Sequence, residues 1–586
     1  MIKLLRRLYR LTRLCIAGPG GWIGVVQFLA ILALGLIGVR IGVRLISWNA
    51  DFYNALQKLD APEAIRQIGI YFMLTALSVA IFLTANYLRK LLQIRWRRTL
   101  TEAAMNRWLA NKAYWHMRGR VDEGLDNPDQ RIAEDCRIFV EKLTVEANDL
   151  ITSCVALVTY AMLLWSLSTF PLAFSLGSID VEVPRYMVWA APIYVFFASV
   201  VTQWLGRPLT ALNYQQQHRE ADFRFALSRL RENVEPVALA SGEAAERRLI
   251  DGRLRAALSN WRRVADRELI QGFFTRPYFQ TVLTLPIFLA LPAYLAGRIT
   301  FGGLMQLRSA FQNVVTTLSW FIFSYRDLVT LAAAAGRLDH FLTAAEAAGA
   351  PEPPAMIALG RQGLRIDGLA LATPQGRPLE PVGGITVAPG ECCWLVAPSG
   401  HGKSTLVKAI AGLWPHGEGR IERPDGAIFF APQQPYLPLG SLATSLAYPA
   451  LPERFTAEDY QAALAAVGLG DLWSEDEQAW ITARHGLSGG EKQRLALARL
   501  HLHRPDWIML DEATSALDVA AEATLLAGLR QALPNAAFVV IAHRQPQGLA
   551  ACRTIRLTER AFEPAPPAAP AATGALCPAP QLVQPA

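Results

Sequence analysis

Six apolar runs constrain this chain more than any other feature, occupying residues 22–46, 68–87, 150–170, 187–205, 279–295 and 304–323. Each is close to the roughly 20 residues that a helix needs to cross the hydrocarbon of a bilayer. Backbone amides cannot go unpaired in lipid, so each run is expected to be an α-helix. Pro286 and Pro292 interrupt the fifth run, and polar residues interrupt the sixth. Composition agrees with a membrane part. Hydrophobic residues make up 52% of the 586 and charged residues 18%, below the roughly 25% charged share of soluble domains. That balance excludes a disordered chain and a wholly soluble enzyme.

Charge then orients the spans. The net charge is +8, from 57 Lys+Arg against 49 Asp+Glu. Basic residues crowd the connection after the second run (Arg89, Lys90, Arg95, Arg97, Arg98, Arg107) and the one after the fourth (Arg219, Arg224, Arg229, Arg231, Arg247, Arg248). The connections after the first, third and fifth runs carry few. Positive charge marks the cytoplasmic side, so both termini and both long loops are expected in the cytoplasm of an inner-membrane protein. The basic excess is topological, and nucleic acid is not an expected partner, whereas membrane lipid is. Residues 1–21 form a basic N-terminal segment with no evident cleavable signal.

The two long loops have helix-forming composition with few Gly or Pro, so the spans should continue as helices past the membrane. Turns near Asp126-Asn127-Pro128-Asp129 and Ser241-Gly242 would reverse them. In the sixth run, Gln306, Ser309, Asn313, Thr316 and Trp320 fall three or four residues apart and share one helix face. Such a stripe either bonds neighbouring helices or lines a passage for cargo. Arg40 and Arg44 fit snorkelling to an interface. No Asp or Glu falls inside the six runs; Glu220 and Asp222 lie in a cytoplasmic extension.

From about residue 360 the pattern changes to short strands alternating with helices. Residues 391–396 read as a buried strand, followed by Ala397-Pro398-Ser399-Gly400-His401-Gly402-Lys403-Ser404-Thr405 and a helix. A strand, a Gly-rich loop and a Lys-Ser helix start make a phosphate loop: amides cradle phosphate, Lys403 neutralises it and Ser404 ligates magnesium. Ala397 stands where such loops usually open with Gly. It fits only if its φ stays negative. Trp507-Ile508-Met509-Leu510-Asp511 reads as a buried strand ending in a second magnesium ligand, and Glu512 follows at the place of a general base. Between them, Leu487-Ser488-Gly489-Gly490-Glu491-Lys492-Gln493-Arg494 opens a helix whose Gly489 and Gly490 would offer amides to a phosphate. The seven cysteines show no regular spacing, and neither a disulfide framework nor a zinc site is expected.

In that order these motifs resemble an ATP-binding cassette nucleotide-binding domain, with Leu487–Arg494 as its signature. The resemblance implies further roles. Gln433 is similar to the glutamine that senses magnesium and the membrane domain, Asp518 in Ser515-Ala516-Leu517-Asp518 to the D-loop aspartate, and His543 to the switch histidine at the γ-phosphate. Ser399, Gly400, His401, Gly402, Lys403, Ser404 and Thr405 would bind ATP with Ser488, Gly489, Gly490 and Asp518; Ser404, Gln433 and Asp511 would hold Mg2+; Glu512, His543 and Gln433 would be catalytic. No aromatic suited to stack on adenine stands near Leu371-Ala372-Thr373-Pro374.

The membrane part, through Trp48-Asn49-Ala50-Asp51-Phe52-Tyr53, Arg95-Trp96-Arg97, Asp126–Ile132 and Arg231-Glu232-Asn233 to Glu243, resembles the SbmA/BacA-type transporter domain fused to an ATPase. Peroxisomal fatty-acyl-CoA half-transporters are more distantly similar. The resemblance covers residues 20–560. It implies a polytopic α-helical, exporter-type membrane domain of six helices plus an α/β P-loop nucleotide-binding domain. In such a protein the phosphate loop of one chain meets the signature of another, so a homodimer is implied. Relatives with that membrane domain take up cobalamin, bleomycin and antimicrobial peptides, which makes ATP-driven import of bulky hydrophilic cargo, a small molecule or peptide, the favoured expectation. Export of lipid-like or acyl compounds is the alternative, as is a proton-driven carrier with a regulatory ATPase domain. The expected layout is an N-terminal segment (1–21), a membrane domain (22–345), a linker (346–360), the nucleotide-binding domain (361–561) and a Pro- and Ala-rich disordered tail (562–586).

Overall fold

The computed structural model describes residues 2–118, 127–176, 179–350, 357–360, 363–398, 401–474, 476, 480, 486–549 and 552–557. The tail, Ser399, Gly400 and Asp126 lie outside them, as does part of the expected linker. The chain divides into two compact units, Met1–Gly349 and Ala350–Ala586.

The first unit is helical. Helix α1 (Ile2–Ala17) precedes α2 (Gly21–Gln57) and α3 (Ala61–Leu109). Asp60 ends the short connection by capping α3, its Oδ1 accepting from the Glu63 amide at 3.1 Å. Short helices α4 (Ala113–His116) and α5 (Pro128–Gln130) lead to α6 (Cys136–Leu167). A hairpin of β1 (Leu172–Leu176) and β2 (Ile179–Val183), not foreseen from sequence, joins α6 to α7 (Tyr186–Glu232). Then come α8 (Val234–Leu239), α9 (Glu243–Leu295), α10 (Phe301–Phe323) and α11 (Tyr325–Ala348). The helices do continue past the apolar runs. Ser241 takes a positive φ of 50° at one reversal and Asn127 one of 56° at the other.

Five of these helices are long and apolar enough to cross a membrane. The sixth expected span, α10, has the length but not the hydropathy. Its packing supplies the reason. It lies against α2, α6, α7 and α9, and Leu304, Leu307, Ala310, Phe311, Val314 and Val315 are buried. A helix enclosed by other helices keeps polar groups that a lipid-facing helix would not. Of the polar stripe, Ser309 accepts from Asn49 Nδ2 of α2 at 3.2 Å, while Asn313 and Thr316 bond back to their own helix. Asn49 belongs to a segment that ties the end of α2 to its neighbours: Trp48 Nε1 donates to the Gln67 carbonyl at 2.7 Å, and Asn54 Oδ1 accepts from the Gly302 amide at 3.0 Å.

Polar contacts also fasten the other end of this unit. Asp135, 2% exposed, accepts from Arg131 at 2.9 Å and from Arg337 of α11 at 2.9 Å and 2.5 Å. Arg10 of α1 reaches Asp339 and Glu346, while Leu11 and Cys15 are buried.

The second unit holds two sheets. Strands β3 (Ile357–Gly360), β4 (Leu364–Leu371), β5 (Ile385–Val387) and β7 (Gly417–Pro424) form a four-stranded sheet ordered β3-β7-β4-β5. Strands β6 (Cys392–Val396), β8 (Ile428–Ala431), β9 (Trp507–Asp511), β10 (Ala537–Ile541) and β11 (Arg553–Arg556) form a parallel sheet ordered β11-β6-β10-β9-β8. Alternate residues of its strands enter two cores. Cys393, Leu395, Met509, Val539 and Ile541 pack toward the other sheet, with Ile366, Ile385 and Ile421. Ile508, Leu510, Phe538 and Val540 pack toward helices, with Leu495 and Leu526. Strands buried on both faces explain the continuous apolar runs there. One expectation fails: Cys392 of β6 is disulfide-bonded to Cys552, beside β11. The pair is 160 residues apart in sequence, and spacing carried no signal of it.

Candidate functional site: a phosphate loop and its facing carboxylates

Three loops leave one end of the parallel sheet side by side. The phosphate loop follows β6, Asp511 ends β9 with Glu512 next, and His543 follows β10. Because β10 lies between β6 and β9 in the sheet, Lys403 and His543, 140 positions apart, are brought together at that end. Helix α12 (Lys403–Ile410) starts there, with Gly402 at its N-cap and a φ of 84° that suits glycine. Lys403 is 7% exposed, and its Nζ donates to the Ala397 carbonyl at 3.1 Å. Ala397 is not among the residues with positive φ, which meets the condition set on it. Ser404 and Thr405 form the first turn of α12, and His401 lies 3.5 Å from Glu380.

Glu512 is at the centre. Its amide donates to the Ile541 carbonyl at 2.9 Å, and its φ is 52°, a left-handed conformation that costs a non-glycine residue energy. The side chain receives three partners. Gln433 Nε2 donates to Oε2 at 2.8 Å; His543 Nε2 stands 3.0 Å from Oε1, and Lys403 Nζ 3.8 Å from the same oxygen. Lys403 Nζ is also 3.5 Å from His543 Nδ1. Four of the sequence-predicted residues thus form one cluster.

Asp511 sits beside it. Burial, more than the neighbouring Glu512, raises its carboxyl above the usual range, against the opposing hydrogen bond from Ser404. Its Oδ1 is buried and has no hydrogen-bond partner among the described residues. An orphaned carboxylate oxygen next to a serine hydroxyl is a donor set suited to a hard divalent cation such as magnesium.

Ser488, Gly489, Gly490 and Asp518 do not join the cluster. Ser488 caps the helix Gly489–His503 in a reciprocal box with Glu491, whose pKa its amide and hydroxyl hold below the usual range. Gly490 lies against the loop before Asp518, where an added Cβ would come 3.2 Å from the Ala516 carbonyl. Asp518 caps the helix Val519–Ala532 through a 2.7 Å bond to the Ala521 amide. Near Leu371–Pro374, where the sequence places no adenine-stacking aromatic, Trp414 donates to the Ala372 carbonyl at 2.9 Å. It lies 42 residues downstream of that carbonyl, too far for local sequence to signal the contact.

In the first unit Glu220 accepts from Gln216, and Asp222 pairs with Arg253. Glu146, which the sequence does not single out, is 5% exposed, and its Oε2 has no hydrogen-bond partner among the described residues. It lies just before the third apolar run, where composition alone gives no hint of burial.

Comparisons with known proteins accord with both units. Residues 11–295 match the family described as ABC transporter transmembrane region 2, and residues 384–515 match the ABC transporter family. The inner membrane ABC transporter ATP-binding protein YddA of Escherichia coli (strain K12) is 33% identical over 89% of this chain and 91% of that protein. The human lysosomal cobalamin transporter ABCD4 is 26% identical over 89% of each. A solved bacterial Atm1-family ABC exporter with ATP bound has the same fold, with a TM-score of 0.68, 19% identity and coverage of 89% of this chain and 91% of that one.

Proposed function

This chain belongs to the ABC transporter family as a membrane domain fused to an ATPase that is coupled to transport, and on that premise we propose that it works as a homodimer in an inner membrane, with both termini and the ATPase unit in the cytoplasm, importing bulky hydrophilic cargo. The observation that carries the ATP-driven part is the convergence of Lys403, Gln433, Glu512 and His543 on one another. Ser399 to Thr405 hold the phosphates of ATP, with Lys403 against the terminal ones. Ser404, Gln433 and Asp511 hold Mg2+, which, when bound, neutralises phosphate charge. Glu512 accepts a proton from the attacking water. His543 and Gln433, each bonded to Glu512, orient that carboxylate. Only one copy of each motif is present, so Ser488, Gly489, Gly490 and Asp518 act on ATP held by the second chain. The tips at residues 126–131 and 232–243 pass the resulting motion to the membrane helices.

Support for cargo of the cobalamin class is the human relative named for cobalamin transport. Mixed dimers test the assembly. Lys403→Ala and Gly489→Asp homodimers are each expected to lose ATP turnover, while a mixed dimer regains a share of it through its one composite site. Mixed dimers as inactive as both parents count against the pairing.

A second reading rests on Glu146. A buried carboxylate in a membrane unit, with one oxygen unpartnered among the described residues, is the kind of group that proton coupling employs.

A further inference from the structure

One buried polar side chain beside the ATP site has no role in the account above. Gln493, in the first turns of the helix Gly489–His503, is 4% exposed. Its bonds reach two other loops. Oε1 accepts from the Ala516 amide at 2.9 Å, while Nε2 donates to the Gln433 carbonyl at 3.3 Å and to Ser515 Oγ at 3.1 Å. The orientation of the amide is determined, because a backbone N–H can only donate and a carbonyl can only accept. Further along the same helix Arg499, 5% exposed, donates to the Tyr436 carbonyl at 2.7 Å and to the Ser445 carbonyl at 2.9 Å. The segment that carries Gln433 is therefore held to this helix at two points.

The arrangement joins parts that serve different nucleotides in the dimer. Gln433 bonds Glu512 of its own site, whereas Ser488–Gly490 and the Ser515–Asp518 turn face the other chain's ATP. A helix moves as a rigid piece, so a shift of its N-terminus either carries the Gln433 backbone and Ala516 along or breaks the bonds of Gln493. We propose that Gln493 is a positioning residue for ATP turnover: it makes the Gln433 segment, the Ser515–Asp518 turn and the signature a single moving part, and so couples the two ATP sites. This rests on the homodimeric ATP-driven reading.

The test uses full-length dimers in nanodiscs, with ATPase rate measured against ATP concentration and binding measured with a fluorescent ATP analogue. Gln493→Glu keeps the shape and the acceptor for Ala516 but removes both donated bonds. The expected result is a kcat lowered about tenfold, with analogue affinity within about twofold of the unsubstituted protein and a lower Hill coefficient. A purely structural residue would move thermal stability without that split. Ser515→Ala, at an exposed residue, removes one of the bonds and should cost about twofold in kcat, which decides the matter if Gln493→Glu does not fold. Unchanged kcat and Hill coefficient in the variants, or equal losses of kcat and ATP affinity, would overturn the proposal. Undiminished turnover in Glu512→Gln would instead strike the ATP-driven reading beneath it.

Discussion

The two units satisfy their side-chain polar groups differently. In the membrane unit many bonds return to the same helix four residues back, as from Ser47 to the Val43 carbonyl, Thr159 to Val155, Ser199 to Val195 and Thr275 to Gln271. In the ATPase unit they cross the fold: Gln433 to Glu512, Trp394 to the Ala542 carbonyl, Arg530 to the Gly390 carbonyl. The difference follows from what each unit must hold fixed. A membrane helix needs its polar groups hidden and its surface shaped to its neighbours. A phosphate-transfer site needs particular atoms within about 3 Å of one another. One unit tolerates graded change in the chemical identity of its side chains, and the other does not.

The largest effect should therefore come from an isosteric change in the ATPase unit. Glu512→Gln is expected to lower turnover by about a hundredfold or more, with ATP binding retained. Turnover within a few-fold of normal would break the comparison at its strongest point. In the membrane unit the largest single effect should be on stability, at a buried cluster where bonds cross between helices as those of the ATPase unit cross the fold. Asp135→Ala leaves Arg131 and Arg337 without the buried carboxylate they share, a loss of about 3 kcal/mol read as a fall in melting temperature in detergent. Next comes a shape change. An added Cβ at Gly302 would lie 2.3 Å from the Ala50 carbonyl and 2.5 Å from Asn54 Oδ1, so Gly302→Ala should cost about 1–3 kcal/mol by overpacking while ATP binding stays intact. Altered ATP affinity in this variant would contradict the division between units.

The smallest effect concerns the cap of the signature helix. Two hydrogen bonds from Ser488, first from its amide and then from its hydroxyl, hold the Glu491 carboxyl below its usual range. A lowered carboxyl pKa contributes stability that is present above the unfolded value and lost as pH falls through the folded one. Protection factors of the amides at the start of this helix should thus fall only on acidification below the ordinary carboxylate range, and not between pH 8 and 6. A fall in protection within the neutral range would point to another group.

The same division explains what could be read from the sequence. In the ATPase unit, Lys403, Asp511, Glu512 and His543 announce themselves because the chemistry fixes both residue type and chain order, and β-strand topology brings them together. Gln493 was visible only as part of the signature, since its partners Gln433 and Ser515 are 60 and 22 residues away. The Cys392–Cys552 pairing needed the β6–β11 neighbourhood to be known. In the membrane unit, apolar length and loop charge announced the long helices, yet α10 departs from the hydropathy rule because its environment is protein, and hydropathy measures only affinity for lipid. Glu146 was missed for the converse reason, as burial beyond the end of an apolar run depends on helix packing.

The central claim is that ATP hydrolysis in one unit drives cargo movement through the other. Its most direct test is uptake of labelled cyanocobalamin, and of a labelled cationic peptide, by proteoliposomes holding the full-length protein, with ATP and Mg2+ on the side of the ATPase unit. The account predicts accumulation that stops in Glu512→Gln and persists when a protonophore collapses the proton gradient. Accumulation undiminished in Glu512→Gln but abolished by the protonophore would contradict it.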